Sequence, residues 1–194
     1  MKALLLLAVL ALPGAFADSE ADVAQVLKRD FHARGQATLE RTDQDGLQRV
    51  CTQTHDHPPA ALARALEADQ QKTVVYPVGS LMGDWKRGER LAQSGQGMTW
   101  NDKPGNAGGS CYNCHELSPK ELSFGTIGPS LRGFGKKRGD GPEAQRYVYA
   151  KIFNAKAFSA CSRMPRFGTS GTLGPEQIKD LVALLLDPSS PVNR

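Results

Sequence analysis

Long apolar runs are nearly absent from this chain. The best internal one, "LVALLL" at 181–186, is far too short to cross a bilayer. Neither sign of charge dominates. Lys and Arg number 24 against 20 Asp and Glu. Setting aside Lys2 leaves 24 − 1 = 23 basic residues, too even a balance for a nucleic-acid binder. The mild excess suits at most an anionic substrate or an acidic partner. There is no internal repeat or low-complexity tract. Strand signals are confined to "TVVYPV" at 73–78, which Pro77 interrupts, so a sheet is not expected. Cysteine is scarce too. The four are Cys51, Cys111, Cys114 and Cys161, and only one pair has CxxC spacing. A zinc site built from two such pairs is therefore excluded.

The first residues read as an export address. Met1-Lys2 is a short positive start, "ALLLLAVLAL" follows, and Pro13-Gly14 breaks the run. Ala15-Phe16-Ala17 has the small-x-small pattern of a cleavage site. Residues 1–17 are expected to be a signal peptide, cleaved after Ala17. No cysteine stands near that point, which argues against a lipid anchor. The mature chain is expected to be soluble and periplasmic, where disulfides form and persist.

The remainder reads as all-α with long loops. Residues 18–78 are expected to form a helical N-terminal extension. "ADVAQVLKRDF" sets Val23, Val26, Leu27 and Phe31 at helical spacing. "GQATLERTDQDGLQRVC" continues it with Leu39, Leu47 and Val50. "PPAALARALEADQ" opens on proline, which a first helical turn tolerates. Residues 79–194 are expected to form a second domain. Asp84 can cap a short helix over "DWKRGERLAQSG". The glycine-rich "GTIGPSLRGFGKKRGDG" reads as irregular. "PEAQRYVYAKIFNAKAF" reads as helix, with Tyr147, Val148, Ile152 and Phe153 toward a core. "GPEQIKDLVALLL" is a strongly signalled last helix, with Ile178, Leu181, Val182 and Leu185 as its buried stripe.

"GGSCYNCHEL" carries the chemistry. Cys111, Cys114 and His115 match the Cys-x-x-Cys-His signature of c-type haem attachment. One turn of helix can offer both sulfurs to the two vinyl groups of a porphyrin. The next residue, His115, then lies under the iron as its proximal ligand. Zinc binding and thiol–disulfide exchange compete for the same residues. Zinc lacks a second ligand pair, and the exchange chemistry lacks a βαβ context. Haem ligation makes two further demands. A ligand imidazole donates its far N–H to an oriented acceptor. "GPSL" at 128–131 can provide one, with Pro129 exposing its carbonyl and Leu131 packing on a haem edge. An ordinary Gly-Pro turn is the competing reading. The sixth ligand must come from beyond the motif. Met164 qualifies, in a loop before Pro165 and the last helix. Met82 and Met98 precede the motif and read as packing residues. Thioether ligation favours ferrous iron and raises its potential.

Cys51 and Cys161 remain as a natural disulfide pair. The bridge would tie the N-terminal segment to the ligand loop and restrain Met164; a free thiol beside a haem is the alternative. His55 and His57 could bind a metal, although exposed histidines are commonly idle. Arg132, Lys136, Lys137 and Arg138 could face an acidic partner or draw in an anion, or be a solvated loop.

"YPVGSLMGDWKRGERLAQSG", "GGSCYNCHELS", "GTIGPSLRGFGKKRG", "KIFNAKAFSACSRMPRFGTSGTL" and "IKDLVALLL" together resemble SoxX, the monohaem cytochrome subunit of the SoxAX complex of bacterial thiosulfate oxidation. The resemblance spans about Tyr76 to Leu186, and "ACSRMPRFG" is its most specific part. It implies a class I cytochrome c-like domain with one covalent haem c. Cys111 and Cys114 would be its anchors, with His115 and Met164 as axial ligands. It implies a heterodimer with a SoxA-type subunit that bears the catalytic haem, as an L-cysteine S-thiosulfotransferase. Thiosulfate would be joined oxidatively to a cysteine of a carrier protein. This chain would take up the electrons, pass them to a small soluble cytochrome, and hold no catalytic residue. No nucleic acid or membrane would be involved. Two other functions fit the motif: a free-standing electron shuttle, and a single-haem, peroxidase-like enzyme with an open sixth site.

Overall fold

The computed structural model describes residues 20–194 except 104 and 106, so the expected signal peptide lies outside the described residues. Seven α-helices follow in order: α1 Glu20–Asp30, α2 Gly46–Gln53, α3 Ala60–Gln71, α4 Trp85–Gln93, α5 Phe134–Arg138, α6 Pro142–Phe153 and α7 Pro175–Leu186. Short 3-10 turns stand at Leu39–Thr42, Cys111–Asn113, Ala155–Ala157 and Pro191–Asn193. No strand forms among the described residues, only one isolated bridge between Arg34 and Ala37. The chain is all-α, as the sparse β-branched runs predict.

The core is built on α7, against which α4 makes the most extensive helix contact and α6 the next. Two glycines permit the approach of α4. A Cβ on Gly88 would overlap the Asp180 carbonyl oxygen, and one on Gly83 the Asp180 carboxylate. Asp180 then locks the pair. Its buried carboxylate accepts two hydrogen bonds from Arg87, each 2.8 Å, and one from the Asp84 N–H at 2.8 Å. This fork-to-fork pairing fixes the crossing geometrically as well as electrostatically. Asp84 caps α4 by accepting from the N–H groups of Lys86 and Arg87, as its type and position predict.

Three expectations change in detail. The stripe on α7 is wider than predicted, because helices cover it from several sides. Ile178, Leu181, Val182, Leu184 and Leu186 are buried, while Leu185 is only half-buried. The glycine-rich segment contains a helix, α5. Gly133 enters it at φ +64°, and Asn193 caps it by accepting from Gly135 N–H at 2.8 Å. The long helical reading over 35–51 shortens to α2, begun by a capping box between Asp45 and Gln48. Leu47 there is buried, but Leu39 stays exposed, as do Val23, Val26 and Phe31 of the first helical segment.

Residues 45–73 pack on the loop after α6, and 34–41 on the loop before the CxxCH motif. There Arg34 lies over the Trp100 ring at 3.4 Å, Gln36 donates to Thr99 and Asp102 carbonyls, and Arg41 donates to the Met98 carbonyl.

Candidate haem-attachment site

The motif hangs from α4. Gly109 N–H donates to the Leu91 carbonyl and Ser110 N–H to the Ser94 carbonyl, so the chain reaches Cys111 in a set register. A tight turn follows, in which the N–H groups of both Cys114 and His115 donate to the Cys111 carbonyl. Cys111 and Cys114 remain unjoined thiols. Burial pushes the Cys111 thiol up to about 12. A thiol poised for exchange is shifted the other way, toward the reactive thiolate.

A second strand of backbone runs alongside. Gly125, Gly128 and Leu131 donate in turn to the carbonyls of Tyr112, Cys114 and Glu116, at 2.8 Å each. The ladder carries Pro129 past the imidazole, and the Pro129 carbonyl lies 2.7 Å from His115 Nδ1. Because a carbonyl only accepts, Nδ1 holds the proton and the Nε2 lone pair is left for a metal. The fit is close. A Cβ on Gly128 would overlap the His115 ring, and a Cβ on Gly125 the Asn113 carbonyl. Leu131, Cys111 and Met164 are all partly buried against the main core. Met164 sits in the loop between α6 and α7, its N–H donating to Ser162 Oγ at 3.2 Å.

These residues fit a haem in two ways. Two free thiols and an imidazole with its Nδ1 fixed form the donor set of covalent attachment. Apolar side chains are bare beside the motif, with Leu122 and Ile127 104% and 76% exposed. Zinc fits poorly. The ligand atoms of Cys111, Cys114 and His115 do not converge. Among the described residues, the one convergent set is Cys51, Asp56 and Cys161. Its two sulfurs are spent in a disulfide of 2.07 Å.

The other sequence candidates lie apart. His55 and His57 are exposed on the turn after α2 and belong to no convergent ligand set. Lys136, Lys137 and Arg138 are solvated on α5, and Arg132 pairs with Glu116 at 3.0 Å. Met82 packs against the core, while Met98 adopts φ +70° in a loop. Sequence reasoning named the segment from Gly128 to Leu131 but missed Gly125 and the closeness of Gly128 to the His115 ring.

No family model matches this chain. A solved structure, SoxXA from P. pantotrophus, aligns at a TM-score of 0.40 with 28% identity, over 60% of this chain and 95% of that one. A protein of Aquifex aeolicus (strain VF5), described as an uncharacterized lipoprotein, is 39% identical over 155 residues, covering 78% of this chain and 73% of its relative. At that identity and coverage, this chain belongs to the same family as the Aquifex aeolicus lipoprotein.

Proposed function

We propose that the chain is a monohaem c-type cytochrome that transfers electrons. The observation that carries this reading is the His115 Nδ1–Pro129 carbonyl hydrogen bond of 2.7 Å, which leaves Nε2 free directly after two unpaired thiols. Cys111 and Cys114 would bond the haem covalently, and His115 and Met164 would ligate its iron. The bound haem supplies a one-electron couple. The chain's own residues do the rest. The Pro129 carbonyl holds the imidazole in one tautomer and orientation and raises its basicity. Leu131, partly buried against the core, would pack on an edge of the haem. Met164 would offer the iron a soft thioether donor, which favours the reduced state. An iron held by both His115 and Met164 would have no open site for oxygen chemistry.

The finer reading follows the resemblance stated above. Residues 79–194 would form the haem domain of a SoxX-type subunit and 18–78 its extension. The catalytic haem would lie on a SoxA-type partner that couples thiosulfate to a carrier cysteine. A periplasmic location agrees with the Cys51–Cys161 disulfide and with a relative described as a lipoprotein. The test is expression with a haem-attachment system. One covalent haem per chain is expected, lost in Cys111→Ala with Cys114→Ala, together with a His/Met low-spin spectrum that Met164→Ala abolishes. A haem-free native protein would refute the cytochrome reading. Purification from the native host as a strictly monomeric haem protein would favour a free-standing shuttle instead.

A further inference from the structure

We propose that the N-terminal segment 45–73 is a clamp that holds the Met164 loop shut on the iron. The proposal rests on the cytochrome reading and extends it from the ligands to what keeps one of them in place.

The loop from Asn154 to Arg166 has little regular structure of its own beyond one 3-10 turn. Side chains from α2, α3 and the turns beside them grip it at six points. At its start, Asn154 is fully buried, and its amide donates to Gln70 Oε1 at 2.9 Å and Thr73 Oγ1 at 3.0 Å. Gln71 donates to the Ala157 carbonyl at 3.0 Å, and Glu67 accepts the Ala160 N–H at 3.1 Å. Cys161 is joined to Cys51. On either side of Met164, Arg163 pairs with Asp56 at 3.0 Å and Arg166 with Asp45 at 2.6 Å.

The arrangement differs in kind from the proximal side. His115 is positioned by backbone bonds from a neighbouring stretch of chain. Met164 is positioned by side chains from about a hundred residues upstream. A thioether is a weak ligand for ferric iron, so the free energy of opening the loop sets how readily another ligand replaces it. Opening the loop exchanges the bonds from Gln71 and to Glu67 for bonds to water and exposes the buried Ala157 and Ala160. Asp45, Glu67 and the disulfide are therefore positioning groups for the iron's sixth ligand, although none touches it.

The test uses the ferric holoprotein and imidazole as the competing ligand. Imidazole replaces the Met164 thioether, the iron stays ferric, and loss of the thioether-to-iron charge-transfer band follows the exchange. Wild type should exchange slowly. Cys51→Ser with Cys161→Ser should raise the apparent imidazole affinity about tenfold, equivalent to 1.4 kcal/mol of loop opening. Glu67→Ala, a milder change that keeps the disulfide, should raise it about threefold by the same relation. Both should lower the reduction potential. Variants that carry haem and match wild type in imidazole affinity and potential would overturn the clamp alone. A wild-type holoprotein without the charge-transfer band would overturn Met164 ligation and the clamp with it.

Discussion

The two sides of the proposed iron site are built differently. The proximal side, residues 109–131, is held by backbone. Its N–H groups pair with carbonyls one short loop away, and glycines make room for the imidazole. The distal side, residues 154–166, is held by side chains and one covalent bond to a remote part of the chain. Backbone ladders tolerate most side-chain changes but fail when a glycine gains a Cβ. Side-chain clamps fail one substitution at a time, in increments. The difference predicts a rigid proximal ligand and an adjustable distal one.

Removing the disulfide should have the largest effect on stability. It closes a separation of 110 residues. Cys51→Ser with Cys161→Ser should cost between about 2 and 5 kcal/mol in denaturant unfolding. Covalent haem attachment should persist, because the motif is untouched. If haem attachment fails in a folded variant, the two sides are not separable. Next, Asp180→Ala should cost about 1–3 kcal/mol, by leaving the Asp84 N–H without its acceptor at the α4–α7 crossing while the exposed Arg87 returns to water. A cost below about 0.5 kcal/mol, the level of an ordinary surface change, would show that the crossing is held by apolar packing alone.

Gly128→Ala should cost about 1–3 kcal/mol as an overpacking change. Its more telling effect should be on the proximal side. The His115 Nδ1–H resonance of the ferrous protein should move or vanish while the Met164 methyl signals persist. An unchanged Nδ1–H signal would mean that the ladder yields without disturbing the imidazole. The smallest effect should come from Asp45. Burial works to raise its carboxyl, but the Gln48 N–H and the Arg166 guanidinium outweigh that and hold it below the usual 3.8. A depressed carboxyl contributes stability that is present above its unfolded value and lost as pH falls through the folded one. Stability should therefore be flat for this group above about pH 5 and decline only in stronger acid. Asp45→Asn keeps the cap and should remove that part of the acid slope. An unaltered slope would place the acid sensitivity elsewhere.

Much of this was legible in the chain. The caps at Asp84 and before Pro175, the all-α class and the Cys111-x-x-Cys114-His115 turn follow from local chemistry. So does an acceptor for His115 Nδ1 in "GPSL", because a Gly-Pro segment can free a carbonyl. The buried Asp180 was not legible, since a carboxylate within a helical pattern looks solvated until its arginine is seen. The α5 helix was hidden by the glycines in and around it, of which Gly135 suits a tight approach to Asn193 and Leu186. The bare apolar residues Val23, Val26 and Phe31 have helical spacing, yet the described chain leaves them exposed.

What the sequence determined by itself was the chemistry of single positions. Two thiols two residues apart, followed by an imidazole, require no knowledge of the fold. What the tertiary structure decided was which distant groups meet. The Pro129 carbonyl reaches His115 because a backbone ladder carries it there, and the Met164 loop is gripped by α2 and α3 because the chain returns across it. Local chemistry depends on neighbours along the chain, whereas these contacts depend on loop closure and packing, which no short window of sequence encodes.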